Sequence, residues 1–206
     1  GAIGFGVASI APLDVLARVR VTARDDRITE AFTFECRPDT SALDSLVVHF
    51  SEPLDDRLEW SLLPPARGTL TARRLEEGES PRGRGRAAAE AAESWLVEIT
   101  PPMGEGVVIR AVRSRPFQVA TPVTLAWVDG AVRQIGELTI QAAGRGRPQV
   151  VNRRLAELPP LLRDDESVSS LVANFSFSAE TAGGSPAVEL VPAARAAGSE
   201  PRAWAW

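Results

Sequence analysis

The chain has no lysine and no tyrosine, and its 206 residues include one cysteine, one methionine and one histidine. Each shortage excludes some chemistry. A single cysteine, Cys36, rules out a disulfide within the chain. One cysteine and one histidine are too few for a zinc site, which takes about three protein ligands even when catalytic. His49 is the sole imidazole, so any nucleophile activated by histidine must use it, and no Gly-x-Ser-x-Gly elbow is present to supply a serine. Phosphate loops are missing too: Gly1-Ala2-Ile3-Gly4-Phe5-Gly6 has neither the spacing nor a preceding strand. No apolar run approaches the ~18–20 residues that span a bilayer. The apolar start, Gly1 to Ile10, lacks a basic flank and a small-residue cleavage pattern, and is expected to be an edge strand.

Charge is also short on the positive side. The formal net charge is -4, which gives no broad cationic field for nucleic acid or anionic membrane surfaces. All 23 basic residues are arginine, and with abundant Ala, Gly and Pro this points to a GC-rich, bacterial coding sequence. Coding bias then accounts for Arg82-Gly83-Arg84-Gly85-Arg86, read here as a solvated loop rather than an RNA-binding tract.

What is present is alternation of period two. Val15, Ala17, Val19, Val21 and Ala23 make one long strand, and Asp25-Asp26 turns it into a second, in which Phe32, Phe34 and Cys36 face one way. The pattern recurs in Leu46, Val48, Phe50; in Leu58, Trp60, Leu62; in Trp95, Val97, Ile99; and in Val107, Ile109, Ala111. It continues through Val123, Leu125, Trp127 and Leu138, Ile140, Ala142. Such half-buried strands, separated by turn signals at Arg37-Pro38-Asp39, Pro64-Pro65 and Pro101-Pro102, predict an all-β fold, an antiparallel sandwich of immunoglobulin-like or jelly-roll-like type. Asp129-Gly130 is expected to close a tight hairpin.

Two stretches break the alternation. Leu75 to Glu93 is charged and then Ala-rich, and reads as a long excursion between strands. Residues 146–167, with Pro148, Pro159, Pro160 and Asp164-Asp165-Glu166, read as a Pro/Arg-rich connector. The expected organisation is therefore a β-sandwich module over 1–145, the connector, and a partial second β module or C-terminal strands over 168–206. The missing initial Met and the apolar end Trp204-Ala205-Trp206 suggest a piece of a longer protein.

Phase decides most of the candidate chemistry. Cys36 shares the apolar phase and reads as a buried, inert thiol, whereas His49 points away from Leu46, Val48 and Phe50, so the two do not form a nucleophile and base. Trp60, Trp95 and Trp127 sit in the apolar phase and are expected in the core; the alternative is an exposed platform for sugar rings. Asp25-Asp26, Asp55-Asp56 and Asp164-Asp165-Glu166 offer hard oxygen ligands for calcium, but in no EF-hand register. Asn174-Phe175-Ser176 has the form of a glycosylation sequon, yet lies inside a strand. No catalytic, cofactor-binding or metal-ligating residue is assigned, and no cofactor is expected.

Leu46-Val47-Val48-His49-Phe50-Ser51-Glu52-Pro53 leading to Leu58-Glu59-Trp60-Ser61-Leu62 resembles modules of very large envelope proteins of planctomycete-type bacteria. Trp95 to Pro102 and Ile109 to Ser114 extend the resemblance, which covers roughly residues 27 to 142. It implies export, tandem β modules and a membrane anchor elsewhere, and it transfers no activity. The reading is a non-catalytic structural or interaction module, extracytoplasmic, with neighbouring modules or envelope glycans as partners. The rival is a carbohydrate-binding accessory module.

Overall fold

The structure, a computed structural model, describes residues 13–39, 41–54, 58–76, 91–117, 119–144, 146–159, 170–183 and 186–192. The described chain is all-β. Its strands are β1 (Leu13–Ala23), β2 (Arg27–Pro38), β3 (Leu43–Phe50), β4 (Glu59–Leu62), β5 (Thr69–Arg74), β6 (Glu93–Met103) and β7 (Val107–Pro116). Then come β8 (Thr121–Pro122), β9 (Ala126–Val128), β10 (Arg133–Ala142), β11 (Gln149–Asn152), β12 (Ala156–Glu157), β13 (Leu171–Phe177) and β14 (Val188–Val191). One helical turn, α1 (Ala179–Ala182), follows β13, with Ser178 and Thr181 forming a reciprocal capping box at its start.

Alternation fixes which way each strand faces. In β1 every second residue from Leu13 to Ala23 is buried, and the chain turns at Asp25-Asp26, where Arg24 N–H donates to the Arg27 carbonyl at 2.7 Å. Strand β2 then returns antiparallel, with Val19 opposite Phe32 and Ala17 opposite Phe34. The largest sheet has the order β12-β13-β10-β1-β2-β7-β4; a second runs β5-β6-β3-β9, and a third β11-β14-β8. Side chains of the first two meet in one core: Phe32 of β2 is edge-on to Phe50 of β3, which touches Trp60 of β4, which touches Trp95 of β6. These aromatic pairs supply packing geometry beyond burial alone.

Two expectations need correction. The large sheet is mixed rather than wholly antiparallel, because β1 and β10 run parallel, Val19 beside Leu138. Parallel neighbours need a long crossover, and some 110 residues separate this pair, so no local signal announces it. Asp129-Gly130 is a turn, with Gly130 at φ 68°, but not a hairpin. It passes the chain from β9, paired to β3, into β10, paired to β1 and β13.

The later part of the chain is built into these sheets. Within 146–167, β11 pairs with β14 and β12 with β13. Strand β13 lies antiparallel to β10, where Gly136 faces Phe177. A Cβ on Gly136 would sit 2.4 Å from that ring, so the bare backbone is what lets the aromatic lie flat against β10.

Candidate functional site

Four polar constellations stand out among the described residues, and three of them are turned inward. The first interrupts the apolar phase of β2 and β7. Glu30, 0% exposed, and Arg113, 4% exposed, lie opposite each other, with Arg113 Nε donating to Glu30 Oε2 at 2.7 Å. Arg115 donates to the other oxygen at 3.1 Å, and the Thr124 amide does so at 3.1 Å. Arg113 also reaches Thr124 Oγ1 at 2.5 Å and the Pro53 carbonyl at 3.3 Å, while Arg115 reaches the Pro122 carbonyl. Three nitrogens of the Arg113 guanidinium thus tie the large sheet to the loops after β3 and β8. Beside them burial pushes the Glu52 carboxyl above the ordinary carboxylate range, opposed by the Arg115 charge.

The second is Glu93, which accepts from Trp95 Nε1 at 2.7 Å, from the Leu54 amide at 3.0 Å and from Arg74 at 3.1 Å. The third holds His49. Its Nδ1 is 2.7 Å from Ser94 Oγ on the adjacent strand, and its Nε2 is 3.7 Å from Asp129 Oδ1. Serine, histidine and aspartate meet here, a juxtaposition that the sequence did not announce, because Ser94 is brought opposite His49 only by the β3–β6 register. The geometry does not make a nucleophile system. The aspartate is beyond hydrogen-bond distance, and His49 is buried, its ring 5.7 Å from the Trp127 ring.

His49 does point away from Phe50, as its phase requires, but that face is covered as well. Strand β9 is buried throughout, Trp127 lies opposite His49, and α1 packs on β9. Trp95 and Trp127 are buried and Trp60 is partly so. Cys36 is 1% exposed, and desolvation pushes its thiol up to about 12. Among the described residues no group of three or more His, Cys, Asp or Glu is placed to hold a metal ion. Of the acidic pairs, Asp25 packs against Gly144, and 55–56 and 164–166 lie outside the described residues, as do Arg82 to Arg86.

The fourth constellation faces solvent. The outward side of the large sheet carries a depression of about 320 Å³ that crosses β13, β10, β1, β2 and β7. At its centre Arg18 is clamped by two carboxylates, Glu35 through one terminal nitrogen and Glu137 through Nε at 3.1 Å. Asn174, the residue of the sequon, lines the same depression, where its Oδ1 accepts from Thr139 at 3.3 Å.

No protein-family model matches the chain, and no curated protein matches it. Among solved structures it is similar to native yeast LTA4 hydrolase, with 10% identity and a TM-score of 0.38 over 86% of this chain and 28% of that one. The same hydrolase in complex with bestatin gives 10% identity and a TM-score of 0.36, over 92% of this chain and 31% of that one. The chain therefore spans less than a third of the length of those hydrolases. A likeness this distant carries no argument about function. No helix among the described residues is long and apolar enough to cross a membrane.

Proposed function

We propose that this chain is a non-catalytic interaction module of an exported or envelope-anchored bacterial protein, an immunoglobulin-like or jelly-roll-like sandwich that presents the outer face of its large sheet to a partner. One observation carries the reading: the groups with chemical potential, Glu30, Glu93, His49 and Cys36, are buried and turned to internal partners, whereas the depression around Arg18 is open to solvent. Buried, bonded charges hold elements together; an open polar concavity on rigid strands is where a ligand finds preformed donors and acceptors.

A second reading, the carbohydrate-binding accessory module, is favoured by the lining of that depression. Thr33, Thr139 and Asn174 are hydroxyl and amide groups of the kind that bond sugar hydroxyls. An aromatic platform has less support, since Trp95 and Trp127 are buried.

Sedimentation of the purified chain with isolated bacterial envelope material tests the common part of both readings. Co-sedimentation that falls on Arg18→Glu, and persists with Arg153→Glu, an exposed residue just after β11 that pairs with Glu189 of β14, is the expected result. Equal loss with both variants, or no co-sedimentation of the unaltered chain, would sink the assignment of the outer face.

A further inference from the structure

We infer that the depression on the large sheet is a binding site for a carboxylated sugar, a uronic acid residue, held between Arg110 on one wall and Arg18 on the other. The inference rests on the proposal that this face is the working surface, and it names the ligand class. Its starting point is a difference in side-chain length between neighbouring strands. On β2 the outward residues that line it are Ala31, Thr33 and, at one end, Glu35, so the middle of the strand is short. On β1 they are Arg18 and Arg20, opposite Thr33 and Ala31 respectively, and on the far side Thr33 is opposite Arg110 of β7. Arg18 and Arg20 on β1 and Arg110 on β7 therefore wall a trough whose floor is Ala31 and Thr33 of β2. Ala31 is buried although it points outward, as the walls require.

Arg18, Thr33 and Arg110 form one row across three strands. With strands about 4.8 Å apart, the two arginine Cα atoms are separated by roughly 10 Å, a gap suited to a carboxylate that takes charge-assisted hydrogen bonds of about 2.8 Å from each side. Arg18 uses Nε and one terminal N–H on its carboxylates, which leaves further guanidinium donors. Arg110 is exposed, and among the described residues its side chain makes no ion pair. Three arginines and two glutamates line the trough, so it holds one excess positive charge in a chain whose net charge is -4. An anion is drawn to this place against the field of the whole molecule.

The other lining groups select what carries the anion. Glu35 and Glu137 only accept hydrogen bonds, and they repel a second negative charge. A partner dense in carboxylates, such as an acidic peptide, is therefore disfavoured. Thr33, Thr139 and Asn174 can both donate and accept. The complement of this set is a ligand with one carboxylate and several hydroxyls on one rigid ring, which describes a uronic acid. The same chemistry is offered by a free monosaccharide and by one residue of an acidic glycan.

Calorimetric titration of the chain with glucuronic acid, trigalacturonate, glucose and a polyglutamate peptide tests the inference. Saturable uronate binding with a dissociation constant of about 1 mM or tighter is expected, weakened at least about tenfold by Arg110→Glu and less by Thr33→Val. Tighter binding of the trimer than of the monosaccharide identifies a glycan as the source; equal binding identifies the free sugar acid. Arg110→Glu is an outward change on an exposed residue, and circular dichroism checks that it folds. Arg153→Glu, which makes the same charge change elsewhere, is expected to bind like the unaltered chain. Glucose binding as tightly as the uronates, polyglutamate doing so, or Arg110→Glu having no effect would each overturn the uronate assignment, as would the absence of any uronate binding. Envelope co-sedimentation that survives such a result leaves the outer face as an interaction surface for another ligand.

Discussion

The large sheet carries two arginine–glutamate networks on opposite faces, which share strand β2. Inside, Glu30 and Arg113 join β2 to β7; outside, Arg18 on β1 joins Glu35 on β2 to Glu137 on β10. The inner pair has no water to fall back on, and its polar atoms are bonded to protein, Thr124 and the Pro53 carbonyl included. The outer set has side chains about a quarter exposed, and its geometry is open to a ligand. The difference teaches that ion pairs of the same composition serve different ends: removing solvent turns one into a joint, and leaving it in place keeps the other exchangeable.

The most direct way to break the comparison is to cut both networks by one residue. Arg113→Ala leaves the Glu30 carboxylate buried and short of its main partner, and is expected to cost about 3–5 kcal/mol in unfolding free energy by urea denaturation. Replacing both ends, as Glu30→Leu with Arg113→Met, is expected to recover much of that loss, because two desolvated charges are removed together. A double variant no more stable than Arg113→Ala would mean that the Thr124 and Pro53 contacts, not the stranded charge, set the cost.

A second experiment isolates the core from both networks. The chain has no lysine and no tyrosine, so between the pKa of an ordinary thiol, 9.0, and the value of about 12 in the folded protein, Cys36 is the side chain that titrates. The folded pKa lies above the unfolded one. The stability it contributes is therefore fully present below pH 9 and is lost as the pH rises toward 12, at up to about 1.4 kcal/mol per pH unit. Cys36→Ala is expected to flatten this alkaline limb; an unchanged limb would show that the thiol is not its source. Native Cys36 should also resist alkylation at pH 8 that proceeds in urea.

The His49 group stands between the two extremes, buried at the imidazole and partly open at Ser94. Ser94→Ala removes the hydroxyl bonded to Nδ1, and is expected to cost about 1 kcal/mol in unfolding free energy by urea denaturation.

Much of the strand layout was legible because half-buried strands write their orientation into every second residue. Leu13–Ala23 follows the pattern from end to end, and Arg27–Pro38 follows it through Cys36 except at Ala31, which is buried in an outward position. The same phase also held an unread signal: Glu30 falls between Ile28 and Phe32, and Arg113 follows Ala111, so each is a charge in an inward position that demands a partner. Trp127 is buried as expected, but on the side of His49, because β9 and α1 close a face that alternation alone assigns to solvent. The parallel β1–β10 pairing and the depression were not legible. Both arise from registers between strands far apart in sequence, and the trough further needs short residues on β2 flanked by long ones on strands that only the fold makes adjacent.

The smallest effect is expected where the comparison began, on the outer face. Arg18→Ala breaks two ion pairs at once, yet the Glu35 and Glu137 side chains are more than a quarter exposed and can be hydrated, so the expected loss is about 0.2–1 kcal/mol and smaller still at high salt. The ligand reading predicts a much larger effect of the same substitution on uronate binding, because Arg18 forms one wall of the trough. Measuring both on one preparation separates the roles. A large stability loss with unaltered binding would make the outer network a joint like the inner one, and the two faces of the sheet would no longer differ in purpose.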